Sequence, residues 1–279
     1  MTVFEPDLVF DLGMHKAFDA KFYLDKGFRV VALEANPQLV AAASTMHADA
    51  IRAGRLTIVD RAFWSAPDEA VSFFLNPVKE DWSSVFKGWA EKGGHPSKEI
   101  KVSTVTLSRM FDLYGVPYYL KCDIEGADEM FTQQLLRDNR RPAFVSIEAI
   151  SLDALATLFA AGYDCVQIIN QALIGSVVPP NPAREGKHVS VKFNGHMSGL
   201  FGRELDPKRW ISFSAAAEIY LDFIKLKRRD DRLAYGWIDF HVTSRTILGG
   251  LQTEVQHLEV RVLGWERATI ICRRLSGQR

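Results

Sequence analysis

Cysteine is scarce in this chain. Cys122, Cys165 and Cys272 are the only three in 279 residues, odd in number and far apart. Such spacing supports neither a disulfide framework nor a thiolate metal knuckle, and reduced thiols in a cytoplasmic setting are expected. A charge surplus is missing too. Lys and Arg total 34, and so do Asp and Glu, so no net field draws the chain to nucleic acid or anionic lipid. No apolar run approaches the ~18 residues that would signal a membrane span. The first residues, Met-Thr-Val-Phe-Glu-Pro-Asp, have no basic segment ahead of an apolar one, so no signal peptide is expected. Internal repeats and low-complexity tracts are also absent. The length suits one large domain, or one domain with an appendage, and suffices to bury a sizeable core.

What is present is an alternation of strands and helices. Apolar runs at Leu8–Phe10, Arg29–Leu33, Leu56–Val59, Tyr118–Cys122, Ala143–Ile147 and Cys165–Ile169 read as principal strands, with Val189–Phe193 as the last of them. Val71–Leu75 and Val102–Val105 read as further short strands. Helices are expected over 16–26, 37–53, 107–114, 128–139, 152–161 and 210–229, with Asn36, Thr106 and Ser151 at N-terminal ends and Gly162 closing one. Strands separated by helices of about ten residues imply an α/β, doubly wound, mostly parallel sheet.

The loop after the first strand, Asp11-Leu-Gly13-Met14-His15, and Glu34 after the second form the first half of a nucleotide-type unit. Ligands of such units lie across the carboxyl ends of the strands. A dinucleotide fingerprint needs G-x-G-x-x-G, so that backbone can approach a pyrophosphate. Counting from Gly13, the next two glycine positions hold His15 and Phe18. A ligand with ribose and adenine but no phosphate needs less room, and S-adenosylmethionine is such a ligand. A single glycine turn admits its methionyl portion, and Glu34 can accept both ribose hydroxyls. The competing reading of Glu34 is a solvated strand-end charge. The expected cofactor contacts are Asp11, Gly13, Met14, His15, Glu34, Asn36, Asp60, Arg61 and Asp123.

Lys121-Cys-Asp123-Ile-Glu125-Gly126 is a second acidic segment. Continued as a strand, it would place Lys121, Asp123 and Glu125 on one face. Central parallel strands are normally apolar throughout, so charges at this end sit where ligands sit. A salt-bridged strand end is the alternative. Asp123 is the leading candidate base, with Glu125 and His15 as second choices and a helix-cap role open for His15. Glu148, after the fifth principal strand, faces either an acceptor or an arginine.

Residues 77–99 interrupt the pattern with Pro77, Gly88, Gly93, Gly94 and Pro96. Trp82, Ser83, Ser84, Trp89 and His95 give this segment flat apolar faces beside hydrogen-bonding groups, a mixture suited to an acceptor lid over a sugar or polyol. Alternatively Trp82 and Trp89, seven apart, anchor a helix on the core. Beyond Gly249, Leu251, Val255, Leu258 and Val262 recur at helical spacing; this tail either packs on the main domain or forms a homodimer contact. No His/Cys cluster has ligand spacing, and Asp123 with Glu125 is too small a set to specify a metal.

Three segments together resemble the FkbM family of S-adenosylmethionine-dependent methyltransferases. They are Asp11-Leu-Gly-Met-His-Lys-Ala-Phe-Asp19-Ala-Lys-Phe-Tyr-Leu24, Gly27-Phe-Arg-Val-Val-Ala-Leu-Glu34-Ala-Asn36-Pro, and Leu120-Lys-Cys-Asp123-Ile-Glu125-Gly126-Ala. The resemblance covers roughly residues 7–247, including Ser198–Gly202 and Gly236–Asp239. It implies a class I, Rossmann-like fold with seven strands, a methyltransferase domain over 1–247 with an appendage at 248–279, and O-methylation of a carbohydrate, polyketide or similar polyhydroxylated acceptor. Where many members carry a second loop glycine, this chain has Ala17, which implies weaker cofactor binding. Two rival readings stand beside it: a nicotinamide-dependent oxidoreductase on the same half-fold, and a non-catalytic module that binds a partner through its tail.

Overall fold

The computed structural model describes residues 3–249. Its first half runs β1 (Glu5–Leu12), α1 (Phe18–Asp25), β2 (Arg29–Leu33), α2 (Pro37–Met46), α3 (Ala48–Arg52), β3 (Leu56–Val59), β4 (Ala62–Phe63), β5 (Ala70–Leu75), α4 (Lys87–Ala90), β6 (Lys98–Val105) and α5 (Leu107–Tyr114). The second half runs β7 (Pro117–Cys122), α6 (Asp128–Arg137), β8 (Phe144–Glu148), α7 (Leu152–Ala160), β9 (Cys165–Asn170), β10 (Ile211–Ser212), α8 (Phe213–Arg229), β11 (Ile238–Thr243) and α9 (Arg245–Leu248).

The main sheet has eight strands in the order β10-β9-β11-β8-β7-β1-β2-β3. β1 pairs in parallel with both β2 and β7, and β3 and β8 extend the parallel run outward. All six residues of β7 are buried, as are the last five of β1, as expected for strands covered on both faces. β11 enters antiparallel between β8 and β9. One face packs against α5 to α8 through Leu107, Phe111, Phe131, Leu155, Leu158 and Tyr220. The other packs against α1, α2 and an irregular strap over 171–210 that inserts Ile174, Phe193, Phe201 and Leu205.

Several expectations are corrected. The sheet has eight strands rather than seven, because two-residue β10 adds an edge. The last strand is β11. Val189–Phe193 alternates like a strand but pairs with nothing; Phe193 packs edge-on against Phe22 at 5.2 Å. The helix expected over 37–53 is two, broken at His47. The helix expected from 210 starts at Phe213, with Ser212 accepting from the Ala215 amide. β6 starts four residues earlier than read and pairs antiparallel with β5. Trp82 and Trp89 share no helix: Trp82 ends a single 3₁₀ turn and Trp89 lies in four-residue α4. Asn36 caps α2 as read, its Oδ1 accepting from the Gln38 amide at 3.0 Å. The amphipathic tail lies outside the described residues. No described helix is long and apolar enough to cross a membrane.

Candidate active site

From β1 the chain lays β2 and β3 to one side, while β7 and β8 lie on the other. The sheet order therefore reverses between β1 and β7, where open α/β sheets bind ligands. A cleft of about 510 Å3 opens there, at the carboxyl ends of the strands. That is within the range of small-molecule sites, about 300–1,000 Å3.

Gly13 has φ +83° and lets the neighbouring loop approach closely. A Cβ there would sit 1.8 Å from the Asp123 carbonyl oxygen, so the two strand-end loops meet backbone to backbone. The Asp123 amide in turn donates to the Leu12 carbonyl at 2.9 Å. His15 and Ala17 also have positive φ, 50° and 58°. Left-handed backbone at a non-glycine residue costs about 1–3 kcal/mol and persists only where surroundings impose it. Ala17, fully buried, precedes the first turn of α1 without a side-chain cap. His15 lies two residues ahead of this cap position and is not the cap.

Glu34 is 8% exposed. One carboxylate oxygen accepts from the His15 amide and the other from the Asn36 amide, each at 2.8 Å. Burial pushes its pKa up to about 7, against the pull of these amides and that of Ala35. Two ionised oxygens offer about four acceptor positions, so the amides leave capacity for further donors.

Below the cleft, the parallel register sets Asp11 opposite Lys121. Lys121 is buried, with Nζ 3.2 Å from Asp11, 3.7 Å from Asp19 and 3.8 Å from Asp123. Burial opposes its charge, but these acids outweigh it and push its pKa well up. Asp19 lines the cleft and accepts from the Ser198 amide with both oxygens at 3.0 Å, tying the strap to α1. Burial raises its pKa to about 6.

The four further acids on the wall differ in availability. Asp123 projects from the end of β7 with its side chain 47% exposed. Glu125 is committed elsewhere: one oxygen accepts from Trp89 Nε1 and Lys92 Nζ, each at 2.6 Å. Burial, with Asp123 next, raises its pKa to about 7. Glu148 and Asp239 stand opposite each other across β8 and β11. Burial, then Asp123 and Glu125, push Glu148 up to about 8. Burial also raises Asp239, which accepts from Gln171 Nε2 at 2.6 Å. Burial lowers the pKa of His15.

Of the residues expected from sequence, the cleft brings together Gly13, Met14, His15, Glu34, Arg61, Trp82, Ser83, Asp123, Glu125 and Glu148. Asp11 is fully buried beneath it. Asn36 supports Glu34 from behind, and Asp60 is exposed just past β3, outside the lining. Ser84 is buried and donates to the Glu125 carbonyl at 2.7 Å, while His95 lies outside the lining. The one-face alignment of Lys121, Asp123 and Glu125 does not occur, because β7 ends at Cys122 and Glu125 turns left-handed with φ 47°. Sequence reading missed Asp19, Glu80, Lys92, Gln171, Ser198 and Trp237 as lining residues. All of these except Gln171 lie in segments that the sequence already singles out: Asp19 in the first motif, Glu80 and Lys92 in 77–99, Ser198 in 198–202 and Trp237 in 236–239. Among the described residues, no three His, Cys, Asp or Glu side chains are grouped so as to hold a metal ion.

Residues 11–164 match the family model of the methyltransferase FkbM domain. The matched span takes in all three motif segments. A solved precorrin-6y C5,15-methyltransferase from Geobacter metallireducens GS-15 superposes with TM-score 0.35 and 16% identity, over 60% of this chain and 68% of that one. No curated protein matches.

Proposed function

The chain belongs to the methyltransferase FkbM domain family, and from that premise we propose that it is an S-adenosylmethionine-dependent O-methyltransferase. Its acceptor is a hydroxyl of a carbohydrate or similar polyhydroxylated metabolite. The observation that carries this reading is Glu34: a carboxylate at the end of β2, oriented by two main-chain amides, lining a cleft of nucleoside size.

The residues present fit the cofactor. Glu34 has acceptor capacity for ribose hydroxyls, Met14, Leu33 and Arg61 line the same end, and Asp19 and Lys121 give the floor both charge signs for an amino-acid moiety. When bound, S-adenosylmethionine supplies a methyl group on a sulfonium. Such a methyl needs alignment with its acceptor more than activation, and alignment is worth ~7–11 kcal/mol of a barrier.

The chain's own residues then position the hydroxyl and take its proton. Asp123 fits the base role best, being half-exposed to the cleft with its nearest cation 3.8 Å away. Glu125 already holds two donors on one oxygen. Glu148, which burial pushes up to about 8, holds its proton more firmly and fits a hydrogen-bond donor role better than that of a base. Trp82 and Trp237 border the acceptor end with flat apolar surface beside Ser83, as carbohydrate recognition requires.

The test is a screen of sugars, glycolipid precursors and polyketides for formation of S-adenosylhomocysteine, followed by Asp123→Asn. The variant keeps the side-chain shape. Turnover lower by at least ~10²-fold with cofactor affinity unchanged supports the base role. Persistent turnover leaves alignment alone to carry the step. If the only acceptor found is an amine or a carboxylate, the substrate assignment fails while the family stands.

A further inference from the structure

Residues 76–97 cross from the β7 side of the cleft to the β1 side; Ser84 is pinned to β5 by a reciprocal backbone pair with Phe74 at 2.8 and 3.1 Å, and the attachments on the β7 and β1 sides are unlike. On the β7 side, Glu125 gathers three bonds from the segment. Ser84 Oγ donates to its carbonyl at 2.7 Å, and Trp89 Nε1 and Lys92 Nζ both donate to Oε2 at 2.6 Å. The Lys92 ammonium also sits between two indoles, 5.1 Å from the Trp82 ring centre and 4.9 Å from that of Trp89. Gly126 lies directly beneath Trp89: a Cβ there would come within 2.9 Å of the ring. This attachment is interlocked and largely shielded, with the Glu125 side chain 18% exposed.

On the β1 side the contact is a single acid. Glu80 reaches Lys16 Nζ at 2.5 Å and His15 Nε2 at 3.5 Å. Glu80 is 43% exposed and Lys16 37% exposed, so water and salt compete for the pair. The segment is cohesive between its ends. Buried Asn76 donates from Nδ2 to the Ala90 carbonyl at 2.8 Å, and its Oδ1 accepts from the Val78 and Lys79 amides. The weak contact is therefore the one that breaks at least cost, while the bonds to Glu125 and Phe74 hold. The weak end rests on the loop whose His15 amide holds Glu34.

We propose that residues 76–97 form a gate over the cofactor cleft, with Glu125 as the positioning residue that anchors it and Glu80 as its releasable catch. Both entry and exit of the cofactor then wait on the Glu80 contact. The inference rests on the cleft holding S-adenosylmethionine, as proposed above. It also removes Glu125 from the candidate bases and gives it a positioning task.

The probe is S-adenosylhomocysteine, with rates followed by tryptophan emission in stopped flow and affinity by calorimetry. Glu80→Gln, and separately Lys16→Met, should raise the association and dissociation rates together by about two- to fivefold, with Kd changed less than about twofold. Added salt should speed exchange in the parent protein and not in the variants. Glu125→Gln, which loses the ion pair but keeps an acceptor for Trp89, should raise amide exchange across 78–92 while β1 and β7 stay protected. Rates indifferent to Glu80 overturn the gate alone. So does a rise in dissociation with a matching loss of affinity, because Glu80 is then a ligand support. No binding of S-adenosylhomocysteine at all overturns the proposed function and the gate together.

Discussion

At the scale of single residues, the chemistry of Glu34 follows from what holds it. Burial disfavours its charge while two amides favour it, and the balance sets its pKa at about 7. The ionised form is the stronger acceptor at both oxygens and has no proton to donate, so a ligand offering two ribose hydroxyls favours that form. Affinity for S-adenosylhomocysteine should therefore rise from pH 6 to pH 8 in the parent protein. Hydrogen bonds to a charged group contribute ~1.5–3 kcal/mol each, so Glu34→Ala should weaken binding about tenfold or more and flatten this pH dependence. Calorimetry at both pH values decides it; an affinity that is unchanged in the variant removes Glu34 from the site. Glu34 was legible in sequence because it ends an apolar run. Asp19 was not, since its burial depends on Lys121 below it and the Ser198 amide above it, 102 and 179 positions away by their numbers in the chain.

At the scale of elements, the parallel strands were legible for a simple reason. A strand buried on both faces must be apolar throughout, as Arg29–Leu33 and Pro117–Leu120 nearly are. β11 escaped notice because its run, Ile-Asp-Phe-His-Val-Thr, carries polar residues that only tertiary context explains. Asp239 faces the cleft, and His241 is buried at 2% exposure with its pKa pushed down to about 3 by burial. Val189–Phe193 misled in the opposite sense, having the alternation without a partner strand. The strap to which it belongs is held by aromatic packing around Phe201. That ring lies 4.8 Å from both Tyr23 and Tyr119 and 5.4 Å from Phe28. The strap also carries the buried Lys26–Glu204 ion pair at 2.6 Å. Phe201→Ala should cost about 3–5 kcal/mol in denaturant unfolding, the usual range for an aromatic removed from a packed core. A loss below about 1 kcal/mol would mean that the strap is not part of the cooperative fold.

At the scale of the whole molecule, a net charge of zero conceals a concentration of acids at one end of the sheet. Asp19, Glu34, Asp123, Glu125, Glu148 and Asp239 line one cleft, with Lys121 and Lys92 among them. Burial raises Asp19 and Asp128 to about 6, Glu34 and Glu125 to about 7, and Glu148 to about 8. The sign of the consequence is fixed by linkage. A carboxyl whose folded pKa lies above its unfolded value binds more protons in the native state. Its contribution is complete below about pH 4.5, the ordinary glutamate value, and is lost as pH rises through its folded pKa. The ligand-free fold therefore weakens across this window, and Glu148, raised furthest of the five, weakens it up to about pH 8. Glu148→Gln keeps the volume and stays neutral at every pH. The melting temperature of the variant minus that of the parent should be near its minimum at about pH 5 and grow toward pH 9, by about 2–4 °C for each kcal/mol involved. Thermal unfolding of the ligand-free proteins at three pH values measures this, and a difference independent of pH would show that Glu148 ionises as it does in the unfolded chain.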